Sequence, residues 1–519
     1  MICLIPELSF ITGLTDDIRS DNRAMKSIAT HTRLSPALRL SKLKQFIQRV
    51  NSNPRCQQIL SSWGMQLGTE LHSTNARNIS KETLLFGKKK GHEREKFQIS
   101  GEKWDRALNC LPIYSPVMIT SWLLIYVSSD ALAANEFVNC MLEVSRKLGL
   151  NIAKPVLHSI HNENQTAYVQ AIKDNFSGYQ IITIMTPGSS QRDDRYSAIK
   201  RLCCVDIGIP SQVVRASNLA NDKIKSVCQN VALQIICKLG GQLWGVHIPY
   251  ASAMFIGLDT YHSPIHGHRS VVAVVSSYNT QATSWYSKVY FQNRQEEISN
   301  TLRIAVSAAL KKYHETNQMM PARIFIYRDG VGDGQISVVK EYEVMQVEKA
   351  LEDFSQYYLN TKPSFTYIVV QKRINLKFFT TQGRDEQNAQ NPLPGTILDQ
   401  GVTRKQYKDF YLVSQHVAHG TVTPTHYVIV HDTNNMTPDR IQRLTYRITH
   451  IYYNLTSSIR VPAPCHVIEP LITILLNLYL ICFCVISFFK QYAHKLAYLV
   501  GQYIRAEPSE TLSDQLYFL

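Results

Sequence analysis

The spacing of hydrophobic positions changes twice along the chain. Up to about residue 108 the text is mostly polar and helical. Leu34 to Val50 carries Leu38, Leu40, Leu43 and Phe46 near helical spacing. Near Pro112 the pattern shifts. Trp122-Leu-Leu-Ile-Tyr-Val127 is a short apolar run of strand type, and Ala133 to Leu148 is helical. Gln180 to Met185 is a second strand, ending at Thr186-Pro-Gly-Ser189. Strand, helix, strand alternation predicts an α/β sheet, whose ligands sit beyond the carboxyl ends of its strands.

A second α/β block begins near Trp244. Phe255-Ile-Gly-Leu-Asp259, Val271 to Ser276 and Ser287 to Phe291 read as strands. A helix is expected over Gln295 to Tyr313, with Ile298, Leu302, Val306 and Leu310 at four-residue spacing. Arg323 to Asp329 is a further strand, followed by Gly330, Gly332 and Gly334. The fold class is therefore α/β, preceded by a mostly helical segment.

Composition sharpens this only in part. The 519 residues carry 55 Lys and Arg against 40 Asp and Glu, a formal charge of +15. Such an excess favours a polyanionic partner, nucleic acid first and an anionic membrane second. The first 100 residues hold 16 basic against 8 acidic side chains, including the run Lys88-Lys89-Lys90. That run is either a solvated surface or a phosphate-facing one. The 11 cysteines form no C-x-x-C pair, which excludes a zinc or disulfide framework and points to a reducing compartment. The amino end lacks the charged and apolar regions of a secretory signal.

Asp259 and Asp329 each close a β-rich run, and glycines after Asp329 allow close approach by a ligand. Carboxylates at strand ends suit a hard cation such as Mg²⁺. A lone strand-end Asp is more often a cap or turn former, so spacing alone leaves both readings open.

Here longer motifs add to the picture. Tyr327-Arg-Asp-Gly-Val-Gly-Asp-Gly-Gln335 resembles the signature of Piwi proteins, the germline branch of the Argonaute family. Leu4-Ile-Pro-Glu-Leu8 and Thr12-Gly-Leu-Thr-Asp-Asp17 resemble the stretch after the family's PAZ domain, and Met185 to Ser190 its MID loop. Pro462-Ala-Pro-Cys465 and Tyr492-Ala-His-Lys-Leu-Ala497 resemble its carboxyl-terminal motif.

The resemblance implies a linker over 1–108, a Rossmann-like MID domain over 109–255 and a PIWI domain with a ribonuclease-H-like fold over 256–519. It implies a catalytic tetrad of Asp259, Glu297, Asp329 and His494, with Asp259, Asp329 and His494 holding Mg²⁺ or, alternatively, Mn²⁺. Glu296 and Glu297 are adjacent; the family spacing of 32 residues before Asp329 selects Glu297. The implied activity is piRNA-guided cleavage of complementary target RNA, silencing transposons in the germline. The implied setting is cytoplasmic, in perinuclear germ granules, with the nucleus as the alternative.

Tyr196 and Lys200 are four residues apart and share a helical face. On their own they read as an exposed aromatic–lysine pair or as a base-stacking, phosphate-holding one. By resemblance, Tyr196 stacks on the guide's first base, while Lys200, Gln212 and Lys238 bind its 5′-phosphate. A second Mg²⁺ at that phosphate would be held by Gln234 and the terminal carboxylate of Leu519.

Two departures from the family pattern bear on function. The chain begins at the trailing edge of PAZ, so the N and PAZ domains and the arginine motifs read by Tudor-domain partners are expected to be absent. Between Cys465 and Tyr492 stand about 25 extra residues, in which Leu471 to Phe489 is 19 residues without a charge. That run reads as a translated intron or alternative exon, a membrane anchor or a buried insertion. An anchor would drag His494 and Leu519 across a bilayer, so membrane insertion is not expected. The extra residues are expected to displace His494 and impair cleavage, which makes a guide- and partner-binding module the alternative function.

Overall fold

The computed structural model describes residues 21–89, 93–188, 193–219, 224–263, 267–293, 296–299, 301–357, 362–382, 385–465 and 492–519. The motif stretches 4–8 and 12–17, Ser189 and Ser190, and the apolar 471–489 run lie outside these residues. Among the described residues no helix is long and apolar enough to cross a membrane.

Three helices open the described chain: α1 (Asn22–Thr32), α2 (Pro36–Ser52) and α3 (Pro54–Ser62). Ser35 and Asn53 accept from the first free N–H groups of α2 and α3, and each helix has Pro in its first turn. These are the residue types that start helices.

A parallel four-stranded sheet follows, built from β1 (Trp122–Val127), β2 (Val156–Ile160), β3 (Ile181–Thr186) and β4 (Ser211–Arg215), in the order β2-β1-β3-β4. Its central strands β1 and β3 are nearly continuous apolar runs because helices cover both faces. The helices of this block are α4 (Ala131–Lys147), α5 (Gln165–Asn175), α6 (Asp193–Arg201) and α7 (Ile224–Lys238). In α4, Ala134, Phe137, Val138, Met141 and Val144 form one buried stripe.

The second sheet has nine strands among the described residues. Its core is β5 (Ala253–Tyr261), β6 (Ser270–Ser277), β7 (Trp285–Gln292), β8 (Arg323–Asp329) and β9 (Ser364–Gln371). Three more strands, β10 (Thr396–Leu398), β11 (Lys408–Val413) and β12 (Thr425–Asp432), complete one side, and the two-residue strand Arg77–Asn78 extends that edge. The spatial order from that edge is Arg77–Asn78, β10, β11, β12, β9, β8, β5, β6, β7. Strands β5, β8 and β9 are mutually parallel; β6 pairs antiparallel with β5, and β7 antiparallel with β6.

Alternation along these strands sorts residues between two cores. Met254, Ile256 and Leu258 of β5, with Ile324 and Ile326 of β8, face α8 (Leu302–Asn317) and α9 (Val344–Tyr357). Phe255, Phe325 and Tyr327 face the opposite side, toward the carboxyl-terminal segment. Gly257 lies on that second face. A Cβ there would overlap the Pro464 carbonyl, so only glycine lets the Pro462–Cys465 turn lie against β5.

The chain returns to the same place. Tyr492 N–H donates to the Ala463 carbonyl and Ala493 N–H to the Pro464 carbonyl, both at 3.2 Å. The described flanks of the 466–491 stretch are therefore hydrogen-bonded to each other. Helix α10 (Tyr492–Tyr498) starts directly beside the turn that ends at Cys465.

The expected helix over 295–313 is corrected. It begins at Leu302 and ends at Asn317, and Glu296 to Ser299 lie in non-helical backbone before it. Those backbone groups are used elsewhere. Ser299 N–H donates to the Glu343 carboxylate at 2.8 Å, and the Glu297 carbonyl accepts from Arg328. Buried polar partners outcompete the helix ladder here.

Two outcomes are expected. Gly257→Ala forces Pro464 away from β5 and costs about 1–3 kcal/mol, as overpacking of a close contact does; a denaturant melt checks this. Removing residues 466–490 joins flanks that already meet, so the shortened chain melts at or above the parent temperature. A large drop in melting temperature would show that the flank contacts depend on the removed residues.

Candidate functional site

Strand geometry alone brings two carboxylates together. In β5, residues 255, 257 and 259 share a face; in β8, residues 325, 327 and 329 do. The two strands are parallel neighbours with Leu258 paired to Arg328, so the next step sets Asp259 beside Asp329. Both are buried. Asp259 lies inside its strand, two residues before Tyr261, whereas Asp329 ends its own. Burial pushes the Asp259 carboxyl well above its usual range, and repulsion from Asp329 adds to this.

Three cationic or imidazole groups answer that charge. His494, on α10, places Nδ1 2.9 Å from Asp259 Oδ2. Lys372, just past β9, places Nζ 2.7 Å from Asp329 Oδ2. Arg328, on the opposite face of β8, has Nε 3.2 Å from Glu343 Oε2 and a terminal nitrogen 3.1 Å from Glu297 Oε1. The expected displacement of His494 is not seen: it meets Asp259 directly, because α10 is pinned to Ala463 and Pro464.

Glu297 reaches the turn after Asp329. Gly330 has φ +90°, and a Cβ there would lie 2.8 Å from Glu297 Oε1. Glycine at this position thus admits both the left-handed backbone and the glutamate. Glu297 Oε2 lies 2.7 Å from His262 Nε2, and His262 Nδ1 is 2.8 Å from the Ser270 hydroxyl. Burial raises the Glu297 carboxyl, but Arg328 and His262 outweigh it and hold it below its usual range. Glu296 instead pairs with Asn293, away from the site.

The donor set suits a hard cation. Asp329 Oδ2 and Glu297 Oε1 are buried carboxylate oxygens held by ion pairs but by no well-aligned hydrogen bond. As they stand, no three His, Cys, Asp or Glu side chains among the described residues converge closely enough to hold an ion.

A second cluster forms at the end of the parallel sheet. Lys200 Nζ donates to the Ser211 carbonyl at 2.9 Å, and Lys238 Nζ donates to the same carbonyl at 2.9 Å and to Gln212 Oε1 at 2.7 Å. Gln212 donates to Gln234 Oε1 at 3.2 Å, and Gln234 donates to Asn454 Oδ1 at 2.7 Å. Tyr196 packs edge-on against Tyr503, with ring centroids 4.8 Å apart, and Lys200 Nζ lies 5.8 Å from the Tyr196 ring. Leu519 is buried, its N–H donating to Leu516. Burial lowers the Lys200 ammonium, and burial with repulsion from Lys200 and Lys495 lowers Lys238 strongly. Neutral oxygens are a poor match for this much buried positive charge, which is the electrostatic signature of an anion site.

Lys372, Lys495, Arg328 and His262 escaped the reading of the sequence. Lys495 carried a usable signal, since it follows His494 in one short helix. Lys372 carried only the alternation that puts residue 372 on the face of Ile368 and Val370.

Comparison with known proteins agrees with this geometry. The family model described as Piwi domain matches residues 181–479. Piwi-like protein Ago3 of Bombyx mori is 41% identical over all of this chain, which covers 52% of that protein. Protein argonaute-3 of Drosophila melanogaster is 39% identical, again over the whole chain and 55% of the relative. The chain thus spans about half the length of these curated relatives. The crystal structure of Drosophila Piwi superposes with a TM-score of 0.81 at 29% identity, covering 96% of this chain and 64% of that one. Kluyveromyces polysporus Argonaute, solved with a guide RNA, shares the fold with a TM-score of 0.71 at 18% identity, over 86% of this chain and 56% of its own. The two sheets are those of an Argonaute MID–PIWI pair, the second with a ribonuclease-H-like fold, and the chain belongs to the Piwi domain family, in the Piwi branch of the Argonautes.

Proposed function

We propose that this chain binds a piRNA guide by its 5′ end and cleaves complementary target RNA. The observation that supports it is the pairing of buried Asp259 and Asp329 on one face, with His494 on Asp259 and the Glu297 carboxylate beside the turn at Gly330, all from four separated segments. Asp259, Asp329 and His494 would hold Mg²⁺ or Mn²⁺, with Glu297 completing the catalytic tetrad as its glutamate finger. Such ions supply an activated water and stabilisation of the leaving oxygen of a phosphodiester.

The chain's own residues have assignable tasks. Burial keeps Asp259 and Asp329 in a site of low polarity, where positive charge is bound strongly. Arg328 and His262 fix the Glu297 carboxylate beside Gly330. Lys200 and Lys238, joined by Lys495, hold the guide's terminal phosphate, and Tyr196 stacks on its first base. Gln234 and the Leu519 carboxylate would hold an ion at that phosphate. Base pairing reads the target, while the protein reads backbone and shape. Transposon transcripts as targets, germ granules as the setting and Tudor-domain proteins as partners follow from the same family reading.

The test uses the full chain, a 5′-phosphorylated guide, a labelled complementary RNA and Mg²⁺. Asp329→Asn is expected to lower cleavage by at least about 100-fold while guide retention stays unchanged. Retention of guide with no cleavage by the parent chain would favour the binding-module reading.

The lysines make a second prediction with a definite sign. The Lys238 ammonium is depressed in the empty pocket, and a phosphate restores its charge, so guide binding takes up a proton. Affinity for a 5′-phosphorylated guide is therefore greatest below the depressed value and declines as pH rises through it toward the ordinary lysine range. Lys238→Met weakens binding and flattens that decline, as filter binding across pH reads directly. A 5′-hydroxyl guide shows neither effect.

A further inference from the structure

Among the described residues, Lys372 belongs to the carboxylate site but has no task in the proposed chemistry. Its Nζ sits 2.7 Å from Asp329 Oδ2, with the two side chains only 8% and 1% exposed. It follows Gln371 at the end of β9, on the face of Ile368 and Val370, which is the face of Asp259 and Asp329. An ammonium at that distance in a buried site is a strong counter-charge. It holds Asp329 Oδ2, a buried carboxylate oxygen with no well-aligned hydrogen bond and of the type a divalent ion would use.

We propose that Lys372 is a resident counter-cation, which neutralises the paired carboxylates before metal binds and competes with the divalent ion for Asp329 Oδ2. The inference rests on the reading that this site takes divalent ions. Two consequences follow. Without metal, the lysine keeps Asp259 and Asp329 from facing each other uncompensated, so the fold persists in chelator. With metal, the ion must displace the ammonium or share its oxygen, so the lysine weakens apparent metal affinity.

The experiment measures Mn²⁺ binding to the full chain without RNA, by electron paramagnetic resonance, beside thermal melts in EDTA and in Mn²⁺. Lys372→Met is expected to bind Mn²⁺ about tenfold tighter or more, as removal of one competing charge at this range permits. Its melting temperature falls in EDTA and gains more from Mn²⁺ than the parent's does, since an ion that binds only the native state stabilises by mass action. Lys372→Arg keeps a cation and stays near the parent in both. Mn²⁺ affinity of Lys372→Met equal to or weaker than the parent's overturns the proposal. If Lys372→Met does not fold in EDTA, recovery on refolding with Mn²⁺ supports it. Failure in both conditions while Lys372→Arg folds overturns it. If parent and Lys372→Met both bind no more Mn²⁺ than Asp329→Asn, the metal-site reading fails, and this inference with it.

Discussion

Two like charges buried on adjacent strands are the constraint around which this half of the molecule is arranged. Parallel pairing of β5 with β8 sets Asp259 beside Asp329, and pleating turns both to one face. Buried carboxylates so placed must protonate, find cations or bind metal. The positions of Lys372 and His494 are answers to that requirement. Arg328, on the other face, meets it indirectly. It is fully buried between Glu343 and Glu297, and Tyr367 donates to the same Glu343 at 2.6 Å. Breaking one member of such a network leaves an uncompensated charge, so the network moves as a unit or not at all.

One short helix then ties the carboxylates to the anion pocket. Helix α10 carries His494 to Asp259 and Lys495 toward Lys238, on successive residues. The helix is fixed at its start by Ala463 and Pro464, and Pro464 in turn rests where Gly257 has no side chain. Gly257 lies two residues before Asp259 on the same face. The two sites thus share one mechanical anchor, and a shift of that anchor reaches both.

The parts legible in the sequence were those set by local pattern. The apolar run Arg323 to Asp329, closed by Gly330, predicts strand β8 with its observed bounds. Helix α8 starts seven residues later than its pattern predicts, since Ile298 sits at the right helical spacing and is partly buried. What ends the helix pattern there is Glu343, 44 residues away, taking the Ser299 N–H. No local reading contains that partner. Lys372 is hidden for a related reason: a lysine after a strand is ordinary text, and only the register of β9 against β8 turns it toward Asp329. Asp259, Glu297, Asp329 and His494 were named through resemblance; strand spacing alone had left the two aspartates ambiguous with caps and turns.

The same register logic explains how His494 keeps its place although 26 residues separate Cys465 from Tyr492. What holds α10 is not the covalent path from Cys465 but the contacts at both ends of it. Two backbone hydrogen bonds join its start to Ala463 and Pro464, and the Tyr492 hydroxyl accepts from Tyr453 N–H and donates to the Ile451 carbonyl. Lengthening the path between two such fixed points costs entropy only logarithmically, about 0.6 kcal/mol per doubling. A stretch of this length therefore adds roughly 3 kcal/mol over a direct join. That is small beside the burial of Tyr492, Ala493, Leu496 and Ala497 in the main core. Insertion at a point where the chain already closes on itself disturbs the geometry least, and His494, two residues inside that closure, keeps its place against Asp259.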